Sequence, residues 1–350
     1  MITLFQKLRL IAVFLFLTHI GMGSPSSQAG EAHDLLAQAF SSYENQQWTA
    51  AIGPLERALT LYPGYAEAHH LLGLIFSNLD QPAKAIMELQ RAVEAYPQFA
   101  QAYVDLGSIY QQQAQFPKAE QSFNLALKAY PKFAEARIAL AAFYDHQQQA
   151  QQAIKAHQAV LELQPHRVDS LYGIAFWLAQ EQKPDEAQRY VDQLVSLHPT
   201  YVNGWLMAGS LAQQSDHVDN AIQAYQHAVK LNHDLVSAYF NLGILYQQKE
   251  AFKEAAQAFE QVTKLDPNNS EAHVNLGVVY AALSKIDQAE KEYQTALSLN
   301  DQLAEAHYNL GMLYEFHRNT PQKALKHYEE FLKLGGQDER IQTLLQRSKS

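Results

Sequence analysis

The stretch "EAHYNLGMLYE", residues 305–315, recurs with small changes at a fixed interval along this chain. Residues 271–281 are "EAHVNLGVVYA" and residues 237–247 are "SAYFNLGILYQ", so successive copies are 34 residues apart. Self-similarity at one period of this size indicates a repeat array, in which every copy forms the same small structural unit. The fold of the chain is therefore predicted from the fold of one copy.

Three residue types keep this register across most of the 350 residues. Glycine recurs at Gly73, Gly107, Gly209, Gly243, Gly277 and Gly311. Alanine recurs at Ala51, Ala85, Ala119, Ala153, Ala187, Ala221, Ala255 and Ala289. Proline recurs at Pro63, Pro97, Pro131, Pro165, Pro199 and Pro267, and is replaced in two copies by His233 and Asp301.

Each copy is predicted to form two helices. In residues 270–303, Leu276 and Tyr280 share a face of the first helix, and Ala289 and Tyr293 share a face of the second. We expect Gly277 to face Ala289 across this hairpin, so that the two backbones approach closely. We expect the large side chains to fill the space toward the next copy. Prolines that lie near the start of a second helix, where a missing amide donor costs nothing, are Pro82, Pro117, Pro184 and Pro321.

This pattern resembles the tetratricopeptide repeat (TPR). The family's aromatic position is held here by His69, Tyr103, Trp205, Tyr239, His273 and His307. Its leucine-glycine pair recurs at Leu72-Gly73, Leu106-Gly107, Leu242-Gly243, Leu276-Gly277 and Leu310-Gly311. Its tyrosine recurs at Tyr110, Tyr144, Tyr246, Tyr280 and Tyr314. The resemblance implies an all-α fold, an α-solenoid in which about nine helix-turn-helix repeats stack as a right-handed superhelix with a concave groove.

The predicted array spans residues 32–336, and residues 337–350 are predicted to form a C-terminal capping helix and tail. The repeat boundaries are 32–65, 66–99, 100–133, 134–167, 168–201, 202–235, 236–269, 270–303 and 304–336. The first and fifth copies are degenerate, with Gln38-Ala39 and Gly173-Ile174-Ala175 where the leucine-glycine pair is expected. In the last copy the alanine, Ala324, comes one residue late. Gly335-Gly336 is expected to end the second helix of that copy.

The first residues follow a different pattern. Lys7 and Arg9 precede the apolar run "LIAVFLFL" and then small polar residues, as in a secretory signal peptide. The run is shorter than the roughly 20 residues that a spanning helix needs. We predict a signal peptide at residues 1–23, with cleavage possible as late as residue 29, and export, in a bacterium to the periplasm. An uncleaved N-terminal membrane anchor is the alternative.

Composition narrows the function further. The net charge of -10 argues against a nucleic-acid partner, which needs a basic surface. The chain has no cysteine, and no phosphate loop, nucleophile elbow or metal motif appears. The array also leaves no room for a catalytic domain. We therefore predict no enzyme activity, no catalytic residue, no metal ligand and no cofactor, and we expect the 15 histidines to be structural.

The resemblance places the first helix of each repeat along the inner face of the solenoid. The predicted partner-binding residues on that face are Tyr172, Phe176, Leu206, Phe240, Asn241, Ile244, Asn275, Tyr308, Asn309 and Met312. The evenly spaced asparagines suit the backbone of an extended peptide, because an amide both donates and accepts hydrogen bonds. The alternative is that asparagine is simply the usual residue of the repeat at this place.

Chaperone-binding members of the family hold a terminal carboxylate with a lysine on the first helix. No matching place here is basic: the residues are Glu67, Gln101, Glu135, Asp169, Asn203, Ser237, Glu271 and Glu305. We therefore expect neutral or basic peptide or helical segments as partners. The predicted function is a protein-binding scaffold for an envelope, secretion, pilus or polysaccharide machine. The alternatives are a self-assembling structural component and a TPR arm that works with a separate catalytic subunit, for example a glycosyltransferase.

Overall fold

A computed structural model describes residues 27–349, and the predicted signal peptide at residues 1–23 lies outside them. The described residues form 19 α-helices and no strand. The helices are α1 (Ser27–Glu44), α2 (Trp48–Leu61), α3 (Ala66–Asn78), α4 (Pro82–Ala95), α5 (Ala100–Gln112), α6 (Phe116–Ala129), α7 (Ala134–His146), α8 (Ala150–Leu161), α9 (Val168–Gln180), α10 (Pro184–Leu197), α11 (Val202–Gln214), α12 (Val218–Leu231), α13 (Val236–Gln248), α14 (Phe252–Leu265), α15 (Ser270–Ala282), α16 (Ile286–Leu299), α17 (Ala304–Phe316), α18 (Pro321–Lys333) and α19 (Glu339–Lys349).

Consecutive helices pair into hairpins, which confirms the predicted all-α repeat solenoid. The odd-numbered helices from α1 to α17 are the first helices of the repeats, and the even-numbered helices α2 to α18 are the second. From α1 to α8 and from α10 to α18, each first helix packs chiefly on the second helix that follows it, and each second helix then packs on the next first helix. Helix α1 begins at Ser27, five positions before the predicted start of the array.

The turn inside each hairpin has one recurring geometry. A residue with positive φ follows the first helix, for example Asp80 at 55° and Ser284 at 61°. The next amide then bonds back to the fifth preceding carbonyl, as from Lys285 N to Tyr280 O at 2.8 Å, which closes a Schellman motif. In the last repeat the turn is one residue longer, because Thr320 N bonds to Tyr314 O, six residues back. This extra residue explains why Ala324 comes late.

The chain divides into two compact units within α9, one ending at Trp177 and the other starting at Leu178. In the first unit, the fully buried residues of the core include Leu89, Phe123 and Phe143. In the second unit they include Phe259 and Tyr328. First and second helices both supply the largest buried side chains of the described residues, and the alanines of the 34-residue register are buried as well.

The close approach within each hairpin brings a large second-helix side chain against the glycine. The register alanine also lies close in two hairpins, since Cβ atoms added to Gly73 and Gly107 would lie 3.3 and 3.1 Å from the carbonyl oxygens of Ala85 and Ala119. A Cβ added to Gly277 would lie 2.6 Å from Cε1 of Tyr293, so the ring of Tyr293 lies directly against this glycine. The same relation joins Gly243 to Phe259, also at 2.6 Å. The aromatic ring of the second helix therefore fills the inside of its own hairpin, and glycine makes room for that ring. Periodicity indicated the correct face but not which side chain reaches across it.

Neighbouring repeats are joined by hydrogen bonds from first-helix tyrosines. The hydroxyl of Tyr280 donates to Glu260 of the preceding second helix at 2.7 Å. The hydroxyl of Tyr144 donates in the same way to Glu120 at 2.7 Å. Burial, followed by the bond to Glu120, raises the pKa of Tyr144 to about 12. These phenols therefore remain neutral donors, and each ties one repeat to the next.

Candidate protein-interaction surface

The predicted binding residues fall into two groups. Tyr172 and Phe176 lie on α9 in the first unit. The other eight lie in the second unit, on first helices: Leu206, Phe240, Asn241, Ile244, Asn275, Tyr308, Asn309 and Met312. Seven of these, on α13, α15 and α17, form what we call the asparagine face: Phe240, Asn241, Ile244, Asn275, Tyr308, Asn309 and Met312. Leu206 lies on α11 and packs against another core cluster of the same unit.

The aromatic residues of the asparagine face are half-buried and held from behind. Phe240 packs edge-on against Phe259, with ring centroids 5.6 Å apart. Tyr308 packs against Phe331 of α18 at 5.2 Å. Since one side of each ring is fixed by the core, little side-chain entropy remains to be lost when a partner covers the other side. Such pre-positioned aromatic rings are the usual anchors of protein interfaces.

The asparagines of this face are also half-buried, and part of their hydrogen-bonding capacity is used within the protein. Asn275 donates from Nδ2 to the carbonyl of Glu271, one helical turn back, at 3.0 Å. Burial raises the pKa of the Tyr225 hydroxyl, and a hydrogen bond with Asn241 partly offsets that rise. A primary amide has two donor hydrogens and an acceptor oxygen. Asn275 therefore keeps its oxygen and one donor hydrogen, after its bond to Glu271, for other bonds.

The edges of this surface are acidic. Glu271 and Glu305 are exposed at the start of α15 and α17, and Glu315 follows Met312 on the same face of α17. One arginine enters this region from α19, because Arg340 donates to Glu315 and to Sδ of Met312. Sequence analysis missed Glu315 and Arg340, since Arg340 lies outside the repeat register. The sequence signal that could have identified Glu315 was its spacing from Met312, because residues three apart share one face of a helix.

The first unit carries different groups at the positions that asparagine occupies in the second. Asp105 stands there in α5 and pairs with His70 of α3 at 2.7 Å. Gln101 also donates to the carboxylate of Asp105 at 3.1 Å. His69 and His70 are adjacent but point to different partners, so neither contributes to a shared site. At this position of α5, the first unit therefore has an internally satisfied ion pair where α13, α15 and α17 have amides.

In the fifth repeat the equivalent position is Gly173, and the reason is a buried histidine. A Cβ at Gly173 would lie 2.5 Å from Nε2 of His157. His157 bonds to Ser170 at 3.2 Å and to Asp145 at 2.9 Å, and Trp177 donates to the same carboxylate at 2.7 Å. Ser170 is only 1% exposed, so this Ser-His-Asp arrangement is closed to a substrate and acts as a polar link between helices. Beside it, Tyr172 is half-buried and Phe176 is exposed.

Several other histidines hold the linkers between repeats. At the family's aromatic position, a ring nitrogen bonds to the carbonyl six residues back: His69 to Pro63, Trp205 to Pro199, His273 to Pro267 and His307 to Asp301. The other nitrogen of His273 pairs with Glu292 at 2.6 Å. Within residues 27–349, no group of three or more His, Asp or Glu side chains is arranged to hold a metal ion. In the same range, no helix is long and apolar enough to cross a membrane.

Four family models match the chain. They are the tetratricopeptide repeat protein 21 C-terminal ARM domain at residues 128–277 and three tetratricopeptide repeat models at residues 36–100, 100–133 and 246–313. No curated protein matches the sequence. Together, these models cover residues 36–313.

Two solved structures share the fold at low sequence identity, and a third is similar over 49% of the chain. The C-terminal part of a TPR repeat-containing protein from Cytophaga hutchinsonii has a TM-score of 0.61 and 14% identity, over 69% of this chain and 99% of that one. A chain of the Naa15/Naa10 complex bound to HypK-THB has a TM-score of 0.52 and 13% identity, over 90% of this chain and 60% of that one. A MamA protein has a TM-score of 0.45 and 24% identity, over 49% of this chain and 94% of that one.

Proposed function

Because the chain is a tetratricopeptide repeat protein, we propose that it is a non-catalytic scaffold that binds segments of partner proteins on the asparagine face. The observation that carries this proposal is the combination of half-buried Phe240 and Tyr308 with half-buried amides along α13, α15 and α17. The rings grip apolar side chains, and the amides bond to the partner's backbone. The segment is an extended peptide or a helix.

The charge of the surface defines the partner further. Glu271 and Glu305 are exposed beside the amides, and no lysine or arginine stands at the matching first-helix positions. A neutral or basic segment is therefore favoured over an acidic one. Because such edge charges are solvated, we expect them to change the association rate and its salt dependence more than the affinity.

The proposal is tested by partner capture with three variants of the second unit. Asn241→Ala combined with Asn275→Ala, and separately Phe240→Ala, should weaken capture of partners crosslinked in the native cell envelope. The control is Asn220→Ala, an exposed amide on the second helix α12, which should capture partners like the wild type. Circular dichroism must show that each variant keeps its helices, since Phe240 also packs on Phe259. Wild-type capture by folded variants would remove the asparagine face from this role.

We further propose that the scaffold acts outside the cytoplasm, in the cell envelope, where it supports assembly, secretion, pilus or polysaccharide machinery. The support is the charged and then apolar sequence before Gly23. In this proposal residues 1–23 are removed, residues 32–336 form the array, and residues 337–350 cap its end. Cell fractionation with intact-mass measurement tests it. A cytoplasmic protein that retains Met1 would contradict export without affecting the binding surface.

A further inference from the structure

The last helix, α19, carries one side chain that reaches back to the asparagine face. Nη1 of Arg340 donates to both carboxylate oxygens of Glu315 at 2.9 Å. Nη2 donates to Sδ of Met312 at 3.2 Å and to the hydroxyl of Tyr328 at 3.3 Å. The guanidinium also lies over two rings, 5.5 Å from the centroid of Phe316 and 5.6 Å from that of Tyr328.

These groups form a site suited to a guanidinium in particular. The carboxylate supplies charge, the two rings supply π faces, and Tyr328 donates its own proton to Glu315 at 2.5 Å, which fixes the carboxylate. Burial, followed by the bond to Glu315, raises the pKa of Tyr328, so the phenol stays neutral and keeps donating. The combination does not recur in the previous repeat, where Ala281 and Ala282 stand in place of Glu315 and Phe316.

The site is continuous with the proposed binding surface. Tyr308, Met312 and Glu315 are spaced four and three residues apart, so they share one face of α17. Arg340 remains 44% exposed in its side chain, and Glu315 is 23% exposed, so solvent and other molecules reach the pair. Helix α19 is attached through Gly335-Gly336 and is held independently by Ile341 and Leu345, which are buried against the last repeat.

We propose that this is an arginine-binding subsite of the scaffold, that Arg340 occupies it as an internal ligand, and that an arginine of the partner segment displaces Arg340 on binding. The inference rests on the proposed function, because it names the basic residue that the asparagine face recognises at its C-terminal end. Arg340 then acts as a competitor that lowers the affinity for basic segments until one of matching sequence arrives. Only the side chain must move, since Ile341 and Leu345 keep the helix in place.

The test measures direct binding of a fluorescent peptide, acetyl-GSGRGSG-amide, to the full mature chain. If Arg340 fills the subsite for about nine-tenths of the time, Arg340→Ala should bind the peptide about tenfold more tightly than the wild type. Adding Glu315→Gln to Arg340→Ala should abolish that gain. The same peptide with lysine in place of arginine should show no gain, because an ammonium lacks the planar fork. Gln346→Ala, an exposed change on the same helix, is the control.

Three results would overturn the inference: equal affinity of Arg340→Ala and the wild type, an equal gain for the lysine peptide, or a gain that survives Glu315→Gln. If Arg340→Ala loosens α19, seen as lost hydrogen-exchange protection at Ile341, the Arg340→Lys variant decides the matter. It keeps a charge on the helix, so a gain for the arginine peptide there supports displacement, and no gain contradicts it. If any of these results overturned the arginine subsite, a loss of partner capture by Asn241→Ala with Asn275→Ala would still support the asparagine face. The two proposals can therefore fail separately.

Discussion

Tyr293 presses its ring against the backbone of Gly277, so that a Cβ at position 277 would lie 2.6 Å from the ring carbon Cε1. Tyr293 is 2% exposed and belongs to the core of the second unit, so it has little room to withdraw. The glycine register of the sequence is therefore explained by a large second-helix side chain inside the hairpin, which is an aromatic ring at five of these glycines and Leu89 at Gly73. A methyl group at that place must move a buried ring.

Gly277→Ala should lower the free energy of unfolding by about 1–3 kcal/mol, because it overpacks the hairpin core. Urea or thermal denaturation followed by circular dichroism measures the change. Gly64→Ala is the control, since nothing lies within 4 Å of a Cβ there, and it should change stability by less than about 0.5 kcal/mol. Equal stability of both variants would show that Tyr293 adapts freely.

Acidification should loosen the last repeat selectively. Nδ1 of His307 lies 3.0 Å from Nδ1 of His327, so the pair tolerates at most one charge. The pKa of His327 is lowered from 6.5 to about 4, chiefly by burial. The positive charges of His307, Lys326 and Lys323 lower it further, and the carboxylate of Glu330 opposes them. Between those pH values the unfolded chain binds more protons than the folded chain. Stability is therefore full above about pH 6.5 and falls as the pH drops toward 4.

Hydrogen exchange at pH 7 and pH 5 measures this effect once the intrinsic exchange rates are corrected. Protection of α17 and α18 should fall more than that of α15 and α16, where His273 instead faces the carboxylate of Glu292 at 2.6 Å. His327→Gln should remove most of the difference, because an amide can bond to His307 without titrating. An equal loss across both repeats would contradict a specific role for the histidine pair.

Tyr280→Phe should weaken the coupling between the seventh and eighth repeats. It removes the hydroxyl that donates to Glu260 at 2.7 Å, and it leaves the ring in place. A net hydrogen bond of this kind stabilises by about 0.5–1.5 kcal/mol, and more when one partner is charged. Denaturation measures the loss, with Tyr96→Phe as the control, since Tyr96 is 47% exposed. A loss no larger than that of the control would show that solvent replaces the bond fully.

The fifth repeat, residues 168–201, is expected to open more readily than the rest of the array. Gly173 adds no side chain to the packing of its first helix, and His157 behind it is satisfied by polar groups. The division between the compact units also falls within α9. Regions with fewer apolar contacts open at lower free energy. Hydrogen exchange should therefore show weaker protection at 168–201 than at 236–303, and uniform protection would refute this.

Much of the fold followed from the 34-residue period, because the stacking of identical units repeats every local choice. Gly335 at φ 90° and prolines at the starts of α4, α10 and α18 lie where local backbone rules place them. Depth was not predictable: a helical face contains both Ala289 and Tyr293, and the sequence does not show that the ring of Tyr293 reaches Gly277.

The binding surface was less predictable for a physical reason. Periodicity assigns Asn241 and Asn275 to one face, but it does not show that Tyr225 and the Glu271 carbonyl already bond to them. It also carries no information about residues beyond the repeats. Arg340 reaches Met312 and Glu315 across more than 20 positions through a turn at two glycines, and no repeat register links those residues.

The hairpin turns have a consequence for how such a chain grows. Within residues 27–349, nine residues other than glycine adopt positive φ, among them Ala114 at 56° and Glu250 at 56°. An ordinary residue in this conformation costs roughly 1–2 kcal/mol, which glycine avoids. When such a chain lengthens by duplication of one repeat, the new repeat therefore has the same strained turn residue as well as the same core residues. Replacing these turn residues with glycine, one unit at a time, would give a series of variants of this chain in which each replacement raises the melting temperature by a further step.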